Sequence, residues 1–375
     1  MRAISRWVSV FLWASFIQTA AWGAVQAVRS LPEEFFLPGV QITVTIKVTG
    51  DPGAVTVTEQ PPADWAINRV MGGGVVADGK ITWDLTSFTG NKTLTYYLIP
   101  PAGTAQDGVF SGKAGEAVIT GPDRLSAPKP APGKQVPLKT GLTYPYWLYL
   151  PEDYGTGGRK WPMILFLHGA GERGDTLTGV KTHGPPKLLG VAANRDKFPE
   201  LFQCVVVSPQ CPVNKWWLNP PLYEVFNQVV TTYAVDPRRI YITGLSMGGF
   251  GSWSFAGAYP DWIAAAVPIC GAGDAMKWKS ITSYTRDTIP AADLANLVPI
   301  PIWAFHGAKD GTVPESLDAQ TVAELRALGG NVQYTVYPNA DHDSWTATYN
   351  NPEVYQWLLR QSKPAPSAVK SGTDM

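Results

Sequence analysis

The chain has 375 residues, a length that suits two domains, and its 30 basic and 30 acidic side chains cancel. No sequence-wide field favours nucleic acid or anionic membranes as partners. An apolar share of 45% against 16% charged residues excludes a chain too polar to bury a core.

The N-terminus reads "MRAISRWVSVFLWASFIQTAAWGAVQA". Arg2 and Arg6 precede an apolar run from Trp7 to about Ile17, and small residues follow. That order predicts a secretory signal over residues 1–27, with cleavage contexts at Ala21-Trp22-Gly23 and Val25-Gln26-Ala27. The apolar core is shorter than the roughly 20 residues of a spanning helix, so the mature chain is expected to be secreted or periplasmic and free of the membrane.

Residues 28–123 alternate apolar and polar side chains at period two in "VQITVTIKVTG", "AVTVTEQ", "KITWDLT" and "KTLTYYLIPP". Asp-Pro-Gly, Ala-Asp-Gly and Thr-Gly-Asn punctuate them, which predicts short strands in an all-β sandwich of immunoglobulin-like size. The segment holds no histidine and no catalytic constellation. A structural spacer and an accessory substrate-binding module both fit it. Residues 124–140, including "SAPKPAPGKQVPLKTG", are rich in proline and predict an extended linker, and residues 363–375 predict a disordered tail.

Between them, residues 141–362 change pattern. "WPMILFLHG", "CVVVSPQ", "RIYITG", "AAAVPICG", "IPIWAFHG" and "VQYTVYP" are nearly continuous apolar runs, as in parallel strands buried on both faces. Helix-like stretches alternate with them, so the expected class is α/β, a mainly parallel sheet with helices on both faces. Cys204, Cys211 and Cys270 are odd in number and carry no CxxC spacing, so buried free thiols are expected and neither a metal nor an organic cofactor is implied.

Gly244-Leu245-Ser246-Met247-Gly248 matches G-x-S-x-G. It follows a strand-like run and precedes a helix-like one, the setting of a nucleophile elbow. A serine hydroxyl needs a base. Of the four histidines, His168 and His306 end apolar strands and read as structural. His183 lies upstream in a loop, whereas His342 follows the last strand and is the favoured base. Asp310, in "AFHGAKDGTVP", is the favoured acid over Asp274 and Asp293. Asp341 and Asp343, beside His342, read as solvated loop carboxylates. One oxyanion donor is expected at the Met247 N–H, and the other from Gly169, Ala170 or Gly171 in "LFLHGAGERGD".

These parts together resemble the α/β-hydrolase superfamily. The wording "FLHGAGERGD … VVVSPQCP … VDPRRIYITGLSMGGFGSW … PIWAFHGAKDGTVP … DHDSW" resembles feruloyl and acetylxylan esterases, polyhydroxyalkanoate-depolymerase-like esterases and prolyl-oligopeptidase-type peptidases. An immunoglobulin-like domain before such an esterase is also a known layout. The resemblance implies Ser246, Asp310 and His342 as the triad, Met247 and Ala170 as oxyanion donors, and an acyl-enzyme route without a cofactor. It implies a small-molecule or polymeric ester, a cell-wall ester or an aromatic polyester, as substrate. Dienelactone hydrolases use cysteine in the elbow, so Ser246 argues against them. Trp216, Trp217 and Trp345 lie in loops and read either as an aromatic wall for substrate or as loop packing. Glu172 and Arg173 are expected to form an ion pair that braces the oxyanion loop. A serine peptidase, or a binding protein with a vestigial hydrolase domain, are the other readings.

Overall fold

In a computed structural model, residues 25–32, 35–101, 106–139, 141–274 and 291–364 are described. The signal segment up to residue 24 and the tail from residue 365 lie outside them. The chain divides into two compact units: one holds residues 41–99 and 108–125 with the N-terminal strand, the other residues 35–40, 100–107 and everything from Ser126.

The first unit is all β. Its strands are β1 (Gln26–Ser30), β2 (Ile42–Gln60), β3 (Ala66–Val70), β4 (Val75–Ala77), β5 (Lys80–Ile99), β6 (Gly108–Val109), β7 (Ser111–Ala114), β8 (Ala117–Val118) and β9 (Arg124–Leu125). The main sheet runs β3-β5-β2-β7-β8, with β1 added to β2 and β4 to β5. Alternation is realised as expected: Val44, Ile46, Val48, Val57, Leu94, Tyr96 and Leu98 are buried.

Three expectations need correction here. The stretches split by Asp-Pro-Gly and Thr-Gly-Asn are not separate strands but two long ones, β2 of 19 residues and β5 of 20. They pair antiparallel along most of their length, and the ladder shifts register between Gly50 and Ala54. Gly50 faces Gly90, and both have positive φ (140° and 79°), so the turn residues bend a continuous hairpin instead of ending it. A strand not expected from the sequence, Gln26–Ser30, begins ahead of the expected domain boundary at residue 28: Ala27 is buried, and its carbonyl accepts the Thr120 N–H at 2.8 Å. A boundary after Ala27 would cut that strand.

The second unit is built on an eight-stranded sheet: β10 (Gln135–Leu138), β11 (Tyr146–Tyr149), β12 (Trp161–Leu167), β13 (Val205–Pro209), β14 (Val235–Leu245), β15 (Ala265–Ile269), β16 (Ile302–Gly307) and β17 (Val332–Tyr337). Their order is β10-β11-β13-β12-β14-β15-β16-β17. The first two strands pair antiparallel and the six from β13 onward pair parallel. This is the strand order of the α/β-hydrolase fold. Central strands β12 and β13 are buried at every residue, which explains their unbroken apolar text.

Helices α1 (Gly184–Leu189), α2 (Pro199–Phe202), α3 (Asn219–Thr232), α4 (Met247–Ala258), α5 (Leu294–Leu297), α6 (Glu315–Ala327), α7 (Trp345–Tyr349) and α8 (Pro352–Arg360) fill the connections. Two separate apolar clusters result, one through Phe226, Trp253 and Phe255 and the other through Phe166, Tyr349 and Trp357. They cover the two faces of the sheet. All three cysteines are buried and unpaired, as expected.

The linker also reads differently in three dimensions. Gln135–Leu138 is the first strand of the large sheet, paired with β11 through Val136↔Leu148 and Leu138↔Tyr146. Val136 and Leu138 are buried, and Pro137 is tolerated because β10 is an edge strand. At the other end Lys363, assigned to the tail, is held: its N–H donates to Arg238 O at 2.9 Å and its Nζ to Pro260 O at 2.8 Å.

A chain starting at Ser126 is therefore expected to melt at a higher temperature than one starting at Leu142, which lacks β10. Equal melting temperatures in calorimetry would show that β10 adds nothing to the sheet.

Candidate active site

The elbow follows from backbone crowding. β14 ends at Leu245 and α4 begins at Met247, so Ser246 alone makes the turn, at φ 53° and ψ −116°. A side chain in the left-handed region is strained, and it persists only where the surroundings dictate it. Here the Ser246 N–H donates to Ile269 O at 2.9 Å and its carbonyl accepts the Phe250 N–H at 3.1 Å. The glycines are required by close approach. A Cβ on Gly244 would stand 2.3 Å from Gly248 O, and one on Gly248 would stand 2.0 Å from Leu167 O. Helix α4 thus abuts the end of β12 with no room for side chains.

The same approach sets the loop after β12 against the elbow, since a Cβ on Gly169 would meet Leu245 Cδ1 at 2.8 Å. Ala170 opens a short 3-10 helix, Ala170–Glu172, and Met247 opens α4. A first helical residue has no intrahelical partner for its N–H. Both expected donors are therefore of the right kind.

His342 joins the elbow to the acid. Its Nε2 is 2.9 Å from Ser246 Oγ and its Nδ1 is 2.7 Å from Asp310 Oδ2. With the Nδ1–H donated to the carboxylate, Nε2 is left to accept the serine proton. Asp310 lies after β16 with its side chain fully buried, and its Oδ1 accepts the N–H groups of Thr312 (2.8 Å) and Val313 (2.9 Å). Burial pushes its carboxyl up, but hydrogen bonds from His306, His342 and Val313 outweigh that and hold it well below the usual carboxylate range. The rival Asp293 instead caps α5, accepting from Ala295 N and Asn296 N. Asp343 accepts from Thr346 at the start of α7, and Asp341 accepts the Asp343 N–H, as loop carboxylates do.

The other histidines divide by what faces them. His168 is buried; its Nε2 accepts the Cys211 N–H at 3.0 Å, so the proton sits on Nδ1, which donates to Gly169 O at 2.6 Å. Burial pulls its pKa down to about 4, and a neutral ring holds the loop. His306 is buried too, but it faces acceptors: Asp310 Oδ2 at 3.2 Å, Val313 O at 3.0 Å and Asp318 Oδ2 at 3.1 Å. Burial alone would lower it, yet the two carboxylates and the carbonyl raise it to about 10. This pairing escaped the sequence reading, although His306 stands four residues before Asp310. Cys270 completes the surroundings, its Sγ within 4.8 Å of donor atoms of Asp310 and His342. Burial holds the thiol far above its usual value, so it stays protonated and leaves the serine as the available nucleophile.

The tryptophans and the Glu172–Arg173 pair are reassigned. Trp217 is buried, donates its indole N–H to His168 O at 3.0 Å and packs edge-on against Tyr144. It braces the loop after β12 and presents almost no surface to a ligand. Trp216 is half-buried against Phe250. Only Trp345 reaches the site, standing edge-to-face with His342 (5.2 Å) and with His183 (5.5 Å). Arg173 does not pair with Glu172; it braces the loop through Ala170 O (2.9 Å) and Lys215 O (3.2 Å). Glu172 faces His183 at 3.6 Å.

An elbow serine, an imidazole and a buried carboxylate on an α/β-hydrolase sheet define the serine-hydrolase class of sites. Comparisons with known proteins agree in kind. Residues 222–364 match the Prolyl oligopeptidase family. The chain is 33% identical over 127 residues to poly(3-hydroxyalkanoate) depolymerase C of Paucimonas lemoignei, 28% of this chain and 29% of that one. It is 27% identical over 161 residues to an esterase of Mycobacterium tuberculosis, 37% of this chain and 33% of that one. The chain thus spans about a third of the length of these relatives. Among solved structures, a thermostable esterase is 25% identical with a TM-score of 0.49, covering 90% of this chain and 99% of that one.

Gly248→Ala is expected to cost at least about 2 kcal/mol in urea unfolding, because backbone must move to admit the methyl group. Trp217→Ala should cost about 3–5 kcal/mol of stability, as removal of a buried indole does. A Trp217→Ala protein as stable as the parent would return that residue to the list of surface-facing side chains.

Proposed function

We propose that the chain is a serine carboxylic-ester hydrolase, with Ser246 as nucleophile, His342 as general base and acid, and Asp310 orienting the imidazole. The observation that carries this reading is the unbroken hydrogen-bond series from Ser246 Oγ through His342 to Asp310 at 2.9 and 2.7 Å. Ser246 Oγ attacks the ester carbonyl carbon while its proton passes to His342 Nε2. The Met247 and Ala170 N–H groups receive the oxyanion. Collapse breaks the carbonyl–alkoxy bond, and the alkoxide leaves with the proton from His342. Water, deprotonated by the same imidazole, then attacks the acyl-enzyme and restores the serine. Asp310 stays ionised throughout and stabilises the imidazolium.

The substrate in this proposal is an ester with a bulky or aromatic group, of the cell-wall feruloyl or acetyl kind or an aromatic polyester. Trp345 beside His342 supports it, because an aromatic side chain next to the base suits an apolar or aromatic acyl or leaving group. The similarity to a polyhydroxyalkanoate depolymerase supports a polymeric ester. Export through the residues 1–27 signal, and an immunoglobulin-like accessory role for the first unit, belong to the same proposal. Amide hydrolysis is the second reading, favoured by the match of residues 222–364 to the Prolyl oligopeptidase family.

Ser246→Ala should abolish hydrolysis of short p-nitrophenyl esters while melting like the parent; retained turnover would remove Ser246 as the nucleophile. Asp310→Asn should lower kcat by on the order of four decades, as loss of the orienting carboxylate does in other triads. A panel of methyl ferulate, acetylated xylan, a p-nitrophenyl ester and a peptide amide separates the readings: cleavage of the amide alone would favour the peptidase.

A further inference from the structure

We propose that His306 is a second, permanently protonated imidazole of the site, a positioning residue that grips the far side of Asp310 and so fixes the carboxylate that orients His342. The inference rests on the triad reading above and extends it. Both nitrogens of His306 face oxygen acceptors. Nε2 is 3.2 Å from Asp310 Oδ2 and 3.0 Å from Val313 O, while Nδ1 is 3.1 Å from Asp318 Oδ2. A neutral imidazole satisfies only one such direction, because it carries a single N–H. Asp318, buried on α6, is itself anchored by the Trp253 indole N–H, which donates to Oδ1 at 3.1 Å. The series Trp253, Asp318, His306, Asp310, His342, Ser246 is therefore continuous from core to nucleophile.

The chemistry follows from where the charge sits. Asp310 Oδ2 is shared by two imidazoles, and its Oδ1 by two backbone N–H groups, so the carboxylate is surrounded by donors and cannot rotate. Asp318 is the competing site for the proton, its carboxyl pushed up by burial against the hydrogen bonds from His306 and Trp253. Cys270 is kept neutral by burial, and Glu315 and Tyr334 lie toward Asp318 rather than Asp310.

The test uses the full-length protein labelled with 15N-histidine. The chain has four histidines, and the His306 signals are assigned by their loss in His306→Gln. Two ring N–H signals, at Nδ1 and Nε2, are expected for His306 from pH 5 to 8.5. A single Nε2–H would put the proton on Asp318 and overturn the proposal. This readout needs no turnover, so it is independent of the ester reaction. In parallel, the rate at which a fluorophosphonate labels Ser246 is followed against pH. His306→Gln keeps an N–H donor without the charge, and Asp318→Asn removes the counter-ion. In both, labelling should slow by at least about tenfold, as misplacement of a catalytic base does. Labelling of both variants at the parent's rate would mean that His306 does not position Asp310, and would overturn the proposal. Failure of the parent to label would count against the serine-hydrolase reading, while the NMR signals still decide the state of His306. If neither variant folds, the parent decides alone: a buried histidine with two ring N–H signals over that range must be His306, because His168 accepts at Nε2 and carries one, and the absence of any such histidine overturns the proposal.

Discussion

The site depends on one backbone contact, the packing of the first turn of α4 onto the end of β12. At Gly248 the two chains come so near that a methyl group would lie 2.0 Å from Leu167 O. No side-chain contact could position three features at once as this does. It holds Ser246 at a positive φ, it starts α4 at Met247, and it lays the loop at Gly169 against the elbow. Strain at one residue is thereby offset by packing along two strands and a helix. Trp217 and Arg173 serve the same end, since each bonds a carbonyl of that loop, His168 O and Ala170 O.

Electrostatics are layered on this frame by choosing what each buried ring meets. His168 and His306 are equally buried, yet they are held in opposite states. The first has an N–H on one side and a carbonyl on the other, so one proton satisfies it. The second has carboxylates on both sides, and a charge is the cheaper solution. Asp310 can then remain an anion beneath the surface, because four donors replace the water it has lost.

The parts legible in the sequence were those whose constraint is local. Gly244 and Gly248 announce a close approach wherever they flank a serine between strand and helix, and Asp310 and His342 fall in loops after successive parallel strands. The unbroken apolar text of β12 and β13 announces burial on both faces. What was not legible depends on a distant partner. Asp-Pro-Gly reads as a turn, yet in β2 it is a bend, because Gly90 of the paired strand faces Gly50. Val136 and Leu138 sit in proline-rich text, and only the neighbouring β11 makes a strand of them. Trp217 and Trp345 have the same loop context, but one is drawn inward by His168 O while the other stands between two imidazoles. The Asp318 partner of His306 lies on a helix whose surface-like sequence, "ESLDAQTVAEL", gives no sign that the carboxylate points into the core.

A separation between chemistry and recognition follows from these ties. Ser246, His342 and Asp310 are fixed by backbone approach and by hydrogen bonds to one another and to neighbouring backbone. The rim is held more loosely. Trp345 is positioned by ring edges rather than hydrogen bonds, and its Nε1 has no partner among the described residues. His183 meets the Trp345 ring at 5.5 Å and Glu172 at 3.6 Å, and is a quarter exposed. Ring contacts of this kind stabilise by about 0.5–1.5 kcal/mol each, so the rim can be re-shaped at small cost to the fold. The elbow cannot, since any added atom there collides with backbone. The part of the site that cannot change is therefore the glycine-lined elbow with its buried charges, and the part that can is the rim of Trp345, His183 and Glu172.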